Sequence, residues 1–347
     1  MIILVDDMGF SDVGCYGGEI DTPHIDQLAA NGLRFTQFYN SGRCCPTRAS
    51  LMTGLHPHQI GIGHMTEPPG SPLGFEGAYQ GYINENCVTL AQVLKTAGYH
   101  TLMTGKWHLG YEREKCWPLQ RGFDKFYGCV PGACNYFKPE GDRGIWDGNE
   151  RVEVGEGFYT TDAFTQKACE FISEATQDSD APFFLYLAHN APHWPLNAKW
   201  LDYQKYKGNY TAGWEALMRS RLAKQKKLGL FPKDIVPAPH VGPKWDSLSD
   251  KQREDLDAIM AAYAGCIEAI DRNVGKLVRH LSALDKLDNT VIFFLSDNGA
   301  CQEGGVLGRG DEAMVKDPPP GTAGVRQGLA WANASNTPFR LYKHFVH

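Results

Sequence analysis

Residues Ile2 to Asp7 read IILVDD, four apolar residues that run without interruption into two carboxylates. A strand with one wet face alternates apolar and polar side chains, so an unbroken aliphatic run marks a strand buried on both faces. Three further stretches repeat the design: Thr101 to Met103, Phe183 to Leu187 and Val291 to Leu295. The segments between them carry helical spacing. TPHIDQLAANG offers Thr22 as N-cap, Pro23 at the first helical position and Gly32 as a stop. CVTLAQVLKTAGY sets Leu90, Val93 and Leu94 on one face. After Ser249, Leu256, Ile259, Tyr263, Ile267, Ile270, Val274, Leu277 and Leu281 recur at steps of three and four, and Ser249 with Gln252 makes a capping box. Strands separated by helices predict an α/β fold, with a mainly parallel sheet between helical layers, in one domain over residues 1–347.

Composition bounds what such a domain can do. The 347 residues carry a net charge of −6, which gives no basic field for nucleic acid. No apolar run reaches membrane-spanning length. An anionic substrate would therefore need a local cluster of cations. Ten cysteines are scattered without a CxxC pair, which argues against a zinc ribbon or a thioredoxin-like motif. Arg219, Arg221, Lys224, Lys226 and Lys227 read as a solvated helix face. Long connections span 128–157, 196–246 and the region after Asn298, and connections of that size are commonly functional.

Each of the four apolar runs leads into chemistry. The first ends in Asp6 and Asp7, and the second leads to Lys106 and His108. The third leads to His189 and His193, and the fourth to Asp297 and Asn298. In open α/β sheets ligands bind beyond the carboxyl ends of the strands, so the four sets predict one site. Asp6, Asp7, Asp297 and Asn298 offer only oxygens. An all-oxygen set favours Ca²⁺ or Mg²⁺ over Zn²⁺, and several side-chain ligands lean toward Ca²⁺. Lys106, His108 and His193 would hold an anion against the metal. HPHQIGIGH, with His56, His58 and His64, gives a rival zinc reading that lacks a fourth ligand.

The stretch Ser41 to Gly54, SGRCCPTRASLMTG, places two cysteines beside a proline and an arginine. A disulfide, a metal site, a reactive thiol and a modified cysteine are all compatible with it. Cys44-x-Pro46-x-Arg48, continued by ASLMTG, resembles the signature of the type I sulfatases, a family with the alkaline phosphatase fold. DDMG, TGKWHLG, APHWP, SDNG and NTPFRLYK are similar to that family's other site segments, so the resemblance runs almost from end to end. It implies that a formylglycine-generating maturation enzyme oxidises Cys44 to formylglycine. One hydroxyl of the hydrated aldehyde would attack sulfur, and the other would then eliminate sulfate.

Carried over residue by residue, Asp6, Asp7, Asp297, Asn298 and the modified Cys44 would bind Ca²⁺, with Asp297 also the base for the attacking hydroxyl. Arg48 would steady the diol, and Lys106 would bridge it to sulfate. His108 would assist elimination, while His193 and Lys343 would bind sulfate and serve the leaving oxygen. The expected substrate is a sulfated carbohydrate or an aryl sulfate, and the expected location is periplasmic or secreted. Measured against the family pattern, the chain reads as a catalytic domain clipped at both ends, without the smaller C-terminal subdomain. Two alternatives stand beside sulfate hydrolysis: a phosphonate monoester or phosphodiester hydrolase, and an inactive domain that binds sulfated glycans.

Overall fold

The computed structural model describes residues 1–66, 76–177 and 180–345. Seven strands among them form one sheet: β1 (Ile2–Val5), β2 (His100–Lys106), β3 (Lys125–Cys129), β4 (Ile145–Asp147), β5 (Glu150–Val152), β6 (Phe183–Ala188) and β7 (Phe293–Ser296). Their order is β5-β4-β3-β2-β6-β1-β7. All pairs are parallel except β3 with β4 and β4 with β5. The helices are α1 (Pro23–Ala30), α2 (Cys44–Thr53), α3 (Pro57–Ile60), α4 (Leu90–Thr96), α5 (Thr160–Gln177), α6 (Trp200–Tyr206), α7 (Gly213–Lys227), α8 (Asp250–Ala283), α9 (Glu312–Lys316) and α10 (Leu329–Ser335). The expected α/β architecture, a mostly parallel sheet between helices, is the one observed.

The residues fall into two compact units, each assembled from three stretches of chain. The first comprises Met1–Asp6, Asn40–Asn190 and Lys276–Asp297, and it contains the whole sheet. The second comprises Asp7–Tyr39, Ala191–Gly275 and Asn298–His347.

In the sheet unit, Ile2 and Leu4 share a cluster with Met52, Trp107, Phe123 and Tyr186. Side chains alternate across a strand, so Ile3 and Val5, equally buried, serve the other face. That is why the opening run shows no polar interruption. α5 packs on β2, β3 and β6, and α4 packs on β2. In α4 the inward residues are Ala91, Leu90 and Leu94. The expected third member, Val93, is instead 52% exposed, because the inner stripe runs through Ala91.

The second unit is built around aromatic rings. Trp214 meets Trp245 and Trp331 edge-on, with centroids 4.9 and 5.4 Å apart. α1 starts after Thr22 as expected, with Pro23 first, but it ends at Ala30 with Asn31 as its cap rather than running to Gly32. The predicted α8 register holds, and every named apolar position from Leu256 to Leu281 is buried. Ser249 N donates to Gln252 Oε1 at 2.9 Å, and Gln252 N donates to Ser249 Oγ at 3.3 Å.

The basic run on α7 departs from the solvated-face reading at Arg221. Its guanidinium is fully buried, donating to Asp12 Oδ1 at 2.6 Å and to Glu19 Oε2 at 2.8 Å. Burial opposes the charge, but Glu19 and then Asp12 outweigh it, so Arg221 stays firmly protonated. Removing one partner of a buried pair strands the other charges at a cost of about 3–5 kcal/mol. Arg221→Ala should therefore lower unfolding free energy by about that amount in urea titrations. Lys227→Ala, exposed on the same helix, should change it by less than about 0.5 kcal/mol.

Candidate active site

Within the sheet unit, three strand ends deliver charged residues. Asp6 follows β1, Lys106 is the last residue of β2, and Asp297 follows β7. These strands run parallel, so their carboxyl ends share one edge. Cys44 opens α2, and Arg48, one helical turn further, lies on the same face. Arg48 links the pieces. Its Nε donates to Asp297 Oδ2 at 2.9 Å, one terminal nitrogen donates to the Lys106 carbonyl at 2.9 Å, and the other lies 3.6 Å from Asp6 Oδ2. Lys106 Nζ donates to Asp6 Oδ2 at 2.5 Å. All four side chains are fully buried.

Burial sets the electrostatics here. It raises the Asp297 carboxyl well above the usual range, and repulsion from Asp6 adds to that, while Arg48 acts in the opposite sense. Arg48 and Lys106 would each be lowered by burial, but attraction to Asp297 and to Asp6 respectively leads the effects that keep them protonated.

His108 sits two residues beyond β2 at φ 62°, in the left-handed region that non-glycine residues rarely occupy. Burial pulls its pKa down to about 4, so the ring is neutral near pH 7. Gly132 forms its floor, where a Cβ would lie 2.4 Å from His108 Nε2. Cys45 is also fully buried, and burial, followed by its hydrogen bond with Cys44, pushes its thiol pKa well up.

The second unit gathers the remaining residues around Asp7. Asn298 Nδ2 donates to Asp7 Oδ1 at 2.6 Å, and Lys343 Nζ lies 3.0 Å from the same oxygen. His193 Nε2 is 3.4 Å from Asp7 Oδ2. Asp7 itself has φ 68°. Its carbonyl accepts from the Tyr263 hydroxyl at 3.1 Å, and that hydroxyl lies 2.7 Å from Asp12 Oδ2. Asp12 also accepts from Gly9 N at 2.8 Å and from Arg221. The backbone at Asp7 is thus pinned from below by Tyr263, Asp12 and Arg221.

The sequence did not disclose several participants. Glu303 accepts from Trp194 Nε1 at 2.6 Å and lies 4.0 Å from Lys343 Nζ. Burial alone would raise the Glu303 pKa, but Lys343 and then His193 bring it below the ordinary value. Only its place five residues after Asn298, in SDNGACQE, hints at the site. Gly132, Tyr263 and Asp12 carry no local signal at all.

The histidine-rich zinc reading fails on geometry. His56 and His58 stack on each other, His58 Nε2 lies 3.1 Å from the Tyr79 hydroxyl, and His64 faces Arg43 at 2.9 Å. The oxygen set suits a hard cation better. Asp6 and Asp297 are buried carboxylates whose mutual repulsion persists beside Arg48 and Lys106, and a divalent ion would relieve it.

The family model described as Sulfatase matches residues 1–345. An uncharacterized sulfatase of Schizosaccharomyces pombe is 34% identical, covering 100% of this chain and 67% of its own length. The arylsulfatase of Klebsiella aerogenes is 33% identical, over 99% of this chain and 76% of its own. The crystal structure of Ps i-CgsB in complex with k-i-k-neocarrahexaose aligns with a TM-score of 0.63 at 31% identity, covering 86% of this chain. The alignment spans 58% of the length of that solved structure.

His189, at the end of β6, gives a test of the burial argument. It is fully buried, neither ring nitrogen finds a hydrogen-bond partner among the described residues, and burial lowers its pKa from 6.5 to about 4. The unfolded ring binds a proton more readily than the folded one. The neutral ring's contribution is therefore intact above pH 6.5 and is lost as pH falls toward about 4. His189→Leu should flatten the fall in stability between about pH 6.5 and about pH 4.5, checked by urea unfolding across that range.

Proposed function

The chain belongs to the sulfatase family, a family of sulfuric ester hydrolases, and from that premise we propose that it cleaves a sulfate monoester with a formylglycine made from Cys44. The observation that carries the reading is the buried set Asp6, Asp297, Arg48 and Lys106 ranged about the head of α2, where Cys44 stands. Ca²⁺ would be held by Asp6, Asp7, Asp297, Asn298 and residue 44. Asp6 is joined to Asp7, and Asp297 to Asn298, by a single peptide bond, so each ligand pair is adjacent by covalent structure. The ion supplies positive charge that acidifies a hydroxyl and polarises sulfate. The hydrated aldehyde supplies two hydroxyls on one carbon, one a nucleophile and one able to expel sulfate.

The protein's own side chains do the rest. Asp297, with its carboxyl pKa raised by burial, is suited to accept the proton of the attacking hydroxyl. Arg48 restrains that carboxylate and steadies residue 44, while Lys106, kept protonated, offers Nζ to a sulfate oxygen. His108, kept neutral by burial, can take the proton of the second hydroxyl as sulfate leaves. His193 and Lys343 would neutralise sulfate and serve the departing oxygen.

A sulfated carbohydrate is the favoured substrate class, by analogy with the carbohydrate complex of Ps i-CgsB, with aryl sulfates as surrogates. Among the described residues no helix is long and apolar enough to cross a membrane. Export to a periplasm or the exterior follows from the family resemblance.

Protein co-produced with a formylglycine-generating enzyme should show an aldehyde at residue 44 and a thiol at Cys45 by peptide mass spectrometry. It should release sulfate from an aryl sulfate faster than it cleaves matched phosphonate or phosphate esters, and the reverse preference would favour the phosphohydrolase reading. Cys44→Ala should abolish turnover. A calcium chelator should suppress turnover and added Ca²⁺ restore it. Absence of both sulfate-ester and phosphate- or phosphonate-ester cleavage in aldehyde-bearing, folded protein would leave only glycan binding.

A further inference from the structure

The sulfatase reading gives Cys45 no task, yet this residue is fully buried beside Cys44. Cys44 Sγ, Cys45 Sγ and a ring nitrogen of His108 lie within 4.8 Å of one another. Met65 Sδ is 3.6 Å from Cys45 Sγ, and Thr66 N donates to that same sulfur at 3.3 Å. Two thiols, an imidazole and a thioether are soft donors, and such a set selects monovalent copper or zinc over Ca²⁺. Zinc in closed sites takes four strong ligands in a tetrahedron, whereas this cluster offers three and a weak thioether. The paired thiolates would carry negative charge, and Lys106 and Arg48, fully buried in the same unit, are cations that could offset it.

We propose that the cysteine form of this protein binds one monovalent copper ion through Cys44, Cys45 and His108, with Met65 as a weak further contact. Two thiol protons leave to solvent as the ion enters, and no electron is transferred. Conversion of Cys44 to an aldehyde removes one sulfur and dismantles the site. Copper loading and maturation are then mutually exclusive if residue 44 is converted as the formylglycine reading requires, whereas copper binding itself requires only the thiol.

The test uses the whole chain produced without a maturation enzyme, with the Cys44 thiol verified by mass. Cuprous ion would be titrated anaerobically against a chromogenic cuprous chelator, with circular dichroism to confirm folding. One ion per chain should bind, and copper-edge X-ray absorption should show sulfur and nitrogen neighbours. Cys45→Ser and His108→Ala should each weaken binding by at least about tenfold. A Cys129→Ala/Cys134→Ala double variant removes the other buried, hydrogen-bonded thiol pair and should bind as tightly as the parent. Absence of binding in folded thiol-form protein, unchanged affinity in Cys45→Ser, or loss of copper in the double variant would each overturn the site. Displacement of copper by equimolar Zn²⁺ would overturn the choice of metal. Sulfate hydrolysis is not read in any arm, so this proposal and the hydrolase reading fail separately.

Discussion

The fork of Arg48 is the contact on which the sheet unit's chemistry turns. One buried guanidinium reaches the carboxylate that ends β7, the carbonyl that ends β2 and, at longer range, the carboxylate that ends β1. A buried carboxylate without a partner would neutralise itself rather than stay charged. Arg48 and Lys106 together supply two positive charges against Asp6 and Asp297, which lets three strand ends keep polar residues in a place from which water is excluded. Arginine suits this better than lysine, because its planar array of donors meets several acceptors at once. The position of Arg48 is in turn fixed by α2, so the cysteine at the head of that helix is registered to the strand ends through a single turn of backbone.

Much of this was legible because burial on both faces leaves a visible trace. IILV coincides with β1 residue for residue. Thr101 to Met103 proved too short a reading of β2, whose continuation through Thr104, Gly105 and Lys106 is buried without being apolar. Val291 to Leu295 departs from the both-faces-buried reading, because β7 begins only at Phe293 and lies at the sheet edge, so Val291 and Phe293 stay exposed. KFYGC, which forms β3, escaped notice because lysine and glycine break its apolar run. The strand-end candidates Asp6, Lys106 and Asp297 were legible for another reason: each stands at the end of a marked strand, whereas Cys44, Arg48 and Lys343 came only from the resemblance to sulfatase motifs.

What stayed hidden depends on pairings across great sequence distance. Arg221 sits in a basic run that reads as solvated, and nothing nearby reveals that Asp12 and Glu19, some two hundred residues earlier, meet it in the interior. Tyr263 falls on the apolar stripe of α8 and reads as core, yet its hydroxyl is the group that fixes the backbone beneath Asp7. Gly132 is invisible for the opposite reason. Its contribution is the side chain it lacks, and only the ring of His108 lying against it gives that absence a meaning.

The interleaving of the strands has a consequence for synthesis. β1 is made first, but its two neighbours in the sheet are β6 and β7, and β7 ends only at Ser296. At about 5–20 residues per second, a ribosome needs on the order of tens of seconds to travel from residue 44 to that strand. Until then β1 lacks one of its two neighbours, Asp297 does not exist as a partner for Arg48, and the head of α2 cannot be sealed. A cysteine that ends fully buried therefore begins its life in a nascent chain open to any enzyme that reads the sequence around it.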